Sequence, residues 1–299
     1  MDLVNRFSQY LLSDKGYSQA TVGDYERDLR EFERYFLCLE SVLTWETIDA
    51  DIIRQWMAQK MKAGLQARTM KRRLAALRSF YRFLQRVGVM EQNPAMSVPN
   101  PKMNQRLPVF LKESEMEQLF EGVHYEDSFS GRCDRLVLLL FYHTGMRVSE
   151  LATLEVTAVN LGVGELKVRG KRNKQRIIPF GEELRQALEI YLDMRQRLPV
   201  AQLPLTLMVD DKGKALSVAK LRDIVRRYLS LVTTQKKKSP HVLRHTFATV
   251  MLNRGADLEA VKELLGHESL AATEVYTHVT FAEMKRQYET AHPRTKTEK

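Results

Sequence analysis

Apolar side chains recur along the N-terminal third of the chain at the spacing of helices rather than strands. Val4, Phe7, Tyr10 and Leu11 fall on one helical face, and Leu29, Phe32, Tyr35 and Phe36 repeat the arrangement. Leu74, Leu77, Tyr81 and Leu84 make a further seam of the same kind. The pattern predicts four or five short helices over residues 1–93. Proline then interrupts it: Pro94, Pro99, Pro101 and Pro108 fall within NPAMSVPNPKMNQRLP, where a helix cannot persist and an inner strand cannot pair. Residues 94–108 are therefore expected to be a linker between a helical domain at 1–93 and a second domain at 109–299.

Beyond the prolines the pattern is mixed. An apolar helix is expected over 136–143, a turn at Gly145, and a further helical stretch over 148–154. Residues 165–169 and 176–179 read as two strands joined by Gly170, Lys171, Arg172, Asn173 and Lys174, a turn rich in Gly, Asn and Lys. Helical spacing returns over 184–198 and 218–231 and continues toward the C-terminus. The fold class expected is mainly α, with a small antiparallel β-sheet in the C-terminal domain.

Composition narrows the function. With 299 residues and 44% hydrophobic content the chain can build two cored domains, which argues against a disordered or collagen-like protein. Its longest apolar run, 136–142, is far short of the roughly 20 residues that span a bilayer. The start MDLVNRFSQY lacks a charged segment followed by an apolar core, so a cytoplasmic location is expected. Cys38 and Cys133 offer neither a disulfide framework nor CxxC metal spacing. No GxxxxGK[ST] or GxGxxG cradle is present, so no nucleotide cofactor is expected.

Charge adds a partner. Lys and Arg total 47 against 37 Asp and Glu, a formal net charge of +10, which favours a polyanion. Residues 52–90 contain no Asp or Glu, yet Arg78, Arg82 and Arg86 recur at i, i+4 and i+8 along a face other than the apolar seam. Solvated faces usually mix signs, so Arg68, Lys71, Arg72, Arg78, Arg82 and Arg86 are candidate nucleic-acid contacts.

The densest chemistry lies in SPHVLRHTFAT. Ser239 suits an N-cap and Pro240 the first helical position, which puts His241 and Arg244 on an opening turn whose free amides favour phosphate. His241 and His245 stand at i, i+4, so a zinc pair is the alternative, although no HExxH glutamate or nearby cysteine pair accompanies them. Downstream, Leu258, Val261, Leu264 and Leu265 form a helix that Gly266 can end, leaving His267 just beyond it. Ser269 can cap a further helix ending near Tyr276.

TGMRVSEL, RGKRNKQRIIP, HVLRHTFAT and LLGHESLAATEVYTHV, in that order behind a basic helical part and a linker, resemble the tyrosine recombinases of the phage-integrase superfamily. The likeness covers nearly the whole chain and is nearest to the Xer-type chromosome-dimer resolvases. It implies a two-domain clamp: a helical SAM-like core-binding domain and a catalytic domain. The family's catalytic positions carry over as Arg147, Lys171, His241, Arg244, His267 and Tyr276. The resemblance makes Tyr276 the nucleophile of a 3′-phosphotyrosyl link, His241 the proton acceptor and Lys171 the general acid. The two arginines and His267 would stabilise charge on the phosphate, work that metals do elsewhere. Glu150, three residues after Arg147, is a supporting residue that could orient Arg147 or His241. Arg172 stands where the family commonly has a second glycine, which leaves Lys174 as a rival acid and a DNA contact.

The partners so implied are double-stranded DNA carrying a specific site, a homo-tetramer or a hetero-tetramer with a second recombinase, and a septal DNA translocase as candidate activator. No cofactor, metal or membrane is implied. Integration or excision of a mobile element uses the same residues, and so would a type IB topoisomerase; a non-catalytic DNA-binding descendant would lack some of them. The segment 281–292, with Met284 and Tyr288 at i, i+4, is expected to dock either on a neighbouring subunit or on its own domain.

Overall fold

Asp2, Ser18 and Asp49 each offer a side-chain oxygen to the unpaired amides of a following turn, and a helix starts after each. These are α1 (Leu3–Ser13), α2 (Gln19–Leu39) and α3 (Ala50–Lys62), followed by α4 (Ala67–Arg86). The computed structural model describes residues 2–41, 44–102, 109–170, 175–266, 288 and 290–294, in two units, Met1–Arg106 and Leu107–Lys299. Two of the N-terminal helices are not short: α2 has 21 residues and α4 has 20. Each carries one apolar stripe along its whole length, so burial rather than local propensity sustains them.

The stripes meet in an aromatic core. Phe32 lies 4.9 Å from Trp56, and Trp45 lies 4.6 Å from Phe80, all four buried. The predicted seam of α4 is buried as expected: Leu74, Leu77, Tyr81 and Leu84 are all in this core. Truncating Leu74 to alanine would cost about 2–5 kcal/mol through lost contacts and an unfilled cavity. The proline-rich stretch 94–108 is bound to this unit at its start. Pro94–Met96 forms a 3₁₀ turn, Ala95 and Val98 are buried in the core, and Arg78 donates to the carbonyls of Ala95 (3.0 Å) and Val98 (2.6 Å).

In the second unit the apolar run becomes α6 (Phe129–Thr144), which follows the short α5 (Glu113–Glu117) and a single π turn, Gln118–Gly122. Most residues of α6 are buried around its whole circumference, which makes it the central helix. Its one buried acid, Asp134, accepts from Arg227 and, at 3.2 Å, from the Tyr228 hydroxyl. Gly145 ends α6 in the left-handed conformation at φ 57°, and α7 (Val148–Ala152) starts directly afterwards.

The expected hairpin is present, as β2 (Glu165–Arg169) and β3 (Gln175–Pro179), with a two-residue β1 (Val159–Asn160) added at the edge of β2. The two-residue strand carries too little alternation to be read from sequence. In the antiparallel register Leu166 faces Ile178 and Val168 faces Arg176. Residues 171–174 of the turn between the strands, with Lys171 and Lys174 among them, lie outside the described residues.

Four helices complete the unit: α8 (Glu182–Gln196), α9 (Val218–Val232), α10 (Pro240–Asn253) and α11 (Leu258–Leu265). Pro240 takes the first position of α10 as expected, but Ser239, at the N-cap, makes no capping bond; its Oγ is buried with no hydrogen-bond partner among the described residues. Gly266 ends α11 at φ 62°. His267, Ser269 and Tyr276 lie outside the described residues. Of the C-terminal segment, Tyr288, Ala291 and His292 are buried on their own unit, where the His292 ring lies 4.5 Å from that of His143.

Candidate active site

The last carbonyls of a helix have no partner within it and carry the negative end of its dipole. At the end of α11 these carbonyls take arginines from three different elements. Arg176 of β3 donates through Nε to Leu264 O at 2.8 Å, Arg244 of α10 through Nη2 to Leu265 O at 2.7 Å, and Arg147, just before α7, through Nη2 to Gly266 O at 2.9 Å. Arg244 also donates to Gly145 O at 2.6 Å, which joins the end of α6 to the end of α11.

One carboxylate ties the group together. Glu150 of α7 is 5% exposed. It accepts from the Arg147 backbone amide at 2.7 Å, from Arg147 Nη1 at 2.8 Å, and from both ends of the Arg176 fork at 3.0 and 2.8 Å. Burial opposes its charge, but the bonds from Arg176 and Arg147 outweigh it and hold the carboxyl below its usual range. Three guanidiniums around one carboxylate leave these four groups with a net positive charge, which suits an anion. Arg244, only 7% exposed, is pulled down to about 10 by burial and by the neighbouring Arg147 charge, and so stays protonated at neutral pH.

His241 opens α10 with its ring exposed. Burial of part of the ring, then the charges of Arg244 and Lys237, lower its pKa, so the neutral imidazole that can accept a proton is favoured near pH 7. His245 is lowered by burial and by Lys237 and Arg244. The zinc alternative needs a third ligand, and among the described residues no group of three His, Cys, Asp or Glu is arranged to hold a metal ion.

The structure thus brings Arg147, Arg244 and Glu150 into one bonded cluster, with His241 one turn ahead of Arg244 on α10. Glu150 bonds Arg147, one of its two expected partners, and its other partner is Arg176 rather than His241. Lys171, His267 and Tyr276 lie outside the described residues. Arg176 was not singled out by sequence reasoning. The signal was strand alternation: Arg176 shares the face of buried Ile178, and a cation on a buried face requires an acid.

The basic residues of the N-terminal unit divide into two kinds. Arg68, Lys71, Arg82 and Arg86 are exposed, with Arg86 lying over the Tyr10 ring. Arg72 meets the buried carboxylate of Asp28 at 2.8 Å. Arg78 commits its guanidinium to Ala95, Val98 and Asn100. In the second unit, no described helix is long and apolar enough to cross a membrane, and the same holds for the first.

Comparison with known proteins gives a consistent assignment. The profile of the phage integrase family matches residues 109–283, and that of the phage integrase N-terminal SAM-like domain matches residues 4–88. Tyrosine recombinase XerC of Bacillus subtilis is 38% identical over 296 residues, covering 98% of this chain and 97% of its own. The protein of the same description from Pelotomaculum thermopropionicum is 38% identical over 302 residues, covering 98% of each. Among solved structures, the XerH site-specific recombinase in a post-cleavage complex with palindromic difH superposes with a TM-score of 0.70 at 22% identity, covering 97% of this chain and 82% of that one. A lambda integrase dimer bound to a core site gives 0.68 at 18% identity, covering 93% and 98%.

Proposed function

The chain belongs to the phage integrase family as a Xer-type tyrosine recombinase, and from that premise we propose that it resolves chromosome dimers by site-specific strand exchange. The observation that carries the chemistry is the convergence of Arg147 and Arg244 on adjacent carbonyls at the end of α11, directly before His267.

In the reaction so read, the Tyr276 oxygen attacks the scissile phosphorus and expels the 5′-oxygen of the next nucleotide. The phosphate passes to the enzyme as a 3′-phosphotyrosyl ester. One ester replaces another, so the strand can be resealed without ATP. The phenol proton, held at a pKa near 10 in the free side chain, goes to neutral His241, and Lys171 supplies a proton to the departing oxygen. Arg147 and Arg244 each commit two of their five N–H groups to described residues of the protein, and the remaining donors can clamp the non-bridging oxygens as negative charge grows there. His267 adds a further donor.

Two duplexes present four strands, and one tyrosine per chain means four subunits, either identical or paired with a second recombinase. The exposed Arg68, Lys71, Arg82 and Arg86 of the first unit would grip the same duplex from their own surface. A cytoplasmic location and activation by a septal DNA translocase accompany this reading.

The test uses a nicked duplex selected by the protein from a random-sequence pool. A denaturant-resistant protein–DNA adduct is expected with the unaltered chain and none with Tyr276→Phe, which should still bind. Absence of any adduct would overturn the mechanism, and adduct formed by the variant would overturn the choice of tyrosine. Recombination of two such sites on one supercoiled plasmid by this protein alone would select four identical subunits, and adduct formation without recombination would select pairing with a second recombinase.

A further inference from the structure

We propose that Arg176 is a positioning residue for strand cleavage, setting the Arg147 guanidinium through Glu150 and fixing the end of α11 through Leu264. The inference rests on the recombinase reading and concerns a residue that does not touch the phosphate. Three observations carry it.

First, Arg176 is committed inward. Its side chain is 10% exposed, both ends of its fork sit on Glu150 at 3.0 and 2.8 Å, and its Nε donates to Leu264 O at 2.8 Å. Its contacts thus use both ends of a planar, permanently charged group, which a lysine cannot imitate.

Second, the oxygens that hold Arg176 also hold Arg147. Glu150 Oε1 accepts Arg147 Nη1 at 2.8 Å as well as Arg176 Nη1, and Oε2 accepts the Arg147 amide as well as Arg176 Nη2. Without Arg176 each oxygen loses one donor, and the carboxylate can rotate toward the remaining cation. Arg147 would follow it, because its second anchor is a single carbonyl, Gly266 O.

Third, the same guanidinium bonds the helix whose end anchors the other two arginines. Leu264, Leu265 and Gly266 are consecutive, so a shift at Leu264 moves the acceptors of Arg244 and Arg147 together. A misplacement of about 1 Å at a reacting centre can cost roughly a hundredfold in rate.

The test compares two substrates that differ only in the charge Arg147 is there to meet. In a methylphosphonate, one non-bridging oxygen of the scissile phosphate is replaced by a methyl group, so the transition state carries less charge for a guanidinium to neutralise. Single-turnover cleavage of a nicked duplex is measured for the unaltered protein, Arg176→Ala and Arg176→Lys, alongside site affinity and thermal midpoint. With the ordinary phosphodiester, cleavage by Arg176→Ala should fall about a hundredfold while affinity changes less than about threefold. With the methylphosphonate, most of that loss should vanish. Arg176→Lys keeps a cation beside Glu150 and so guards against misfolding; it should lose about tenfold on the phosphodiester and little on the methylphosphonate. A cleavage rate near that of the unaltered protein, an equal loss on both substrates, or a fall in affinity matching the fall in rate would each overturn the proposal. Absence of adduct from the unaltered protein would instead overturn the recombinase reading, and the proposal with it.

Discussion

Gly145→Ala tests whether the junction of α6, α10 and α11 is as tight as its geometry implies. Gly145 has φ 57°, and a Cβ there would lie 2.7 Å from Leu265 Cδ2 and 2.7 Å from Phe247 Cδ1. The backbone conformation alone costs an L-residue about 1–2 kcal/mol. Crowding adds about 1–3 kcal/mol, because Phe247 is wholly buried and Leu265 sits on the helix end that Arg244 and Arg147 hold. The expected destabilisation is therefore about 2–5 kcal/mol, a fall in midpoint of roughly 4–20 °C for a unit of this size. Gly266→Ala is the milder comparison: φ is 62°, and its nearest contacts, 3.2–3.4 Å, are to the Arg176 side chain, longer than the 2.7 Å contacts at Gly145 although Arg176 is held by its bonds to Glu150 and Leu264. It should show the conformational cost, about 1–2 kcal/mol, with a smaller crowding cost than Gly145→Ala.

The distribution of tryptophan makes the assay selective. Trp45 and Trp56 both belong to the N-terminal unit, and they are the only two in the chain. Denaturation followed by tryptophan fluorescence should be the same for both variants and the parent, while amide exchange in α6 and α10 should report the loss. Equal exchange in the two variants would refute the close packing at Gly145, and a shifted tryptophan transition would refute independent reporting by the two units.

Three further outcomes are expected. Arg244→Lys should bind DNA nearly as well as the parent but cleave about 10²–10³-fold more slowly, because an ammonium cannot bond Gly145 O and Leu265 O together and still meet the phosphate; a rate within tenfold of the parent would contradict this. Lys71→Gln should reduce the slope of log affinity against log salt by about 0.9, whereas Arg78→Gln should leave the slope unchanged and cost the N-terminal unit about 1.5–3 kcal/mol; salt titrations and tryptophan-monitored denaturation separate the two roles. Burial lowers the pKa of His143 and, more strongly, of His292, whose ring also faces the charges of Arg254 and Arg294, while Glu183 is held at about 2 by His143 and Arg294 despite its burial. Both imidazoles are neutral when folded, so their contribution is full above the unfolded value of about 6.5 and is lost as pH falls from there toward the folded values, at up to about 1.4 kcal/mol per unit for each. Amide protection of Tyr288, of residues 290–292 and of Arg294 should accordingly drop between pH 7.5 and 5.5 and become less sensitive to pH in His292→Phe; unchanged protection would count against the assignment.

What could be read from sequence follows from which interactions are local. The seam from Leu74 to Leu84 was legible because its period matches a helix, and the ends of α6 and α11 because Gly145 and Gly266 supply the backbone freedom that a left-handed cap requires. Glu150 was visible beside Arg147 because residues three apart share a helical face. Arg78 misled for the same reason. Its spacing with Arg82 and Arg86 is that of an exposed face, yet the residues that capture it are the carbonyls of Ala95 and Val98, and a backbone oxygen leaves no mark in a sequence.

That invisibility is greatest at the arginine cluster, where it has a functional consequence. Arg147, Arg176 and Arg244 come from a helix start, a strand and a separate helix, and four of their seven guanidinium bonds to described residues end on main-chain oxygens. Side-chain acids at those positions would neutralise the site and weaken its pull on a phosphate. Carbonyl dipoles fix the same guanidiniums in place while leaving their charge intact. Helix α11 has eight residues, too few to be stable alone, so packing of Val261, Leu264 and Leu265 must hold it. The arginines and the helix therefore order one another, and in the proposed reaction the donors meant for a phosphate would be set before it arrives, which would lower the reorganisation that cleavage otherwise requires.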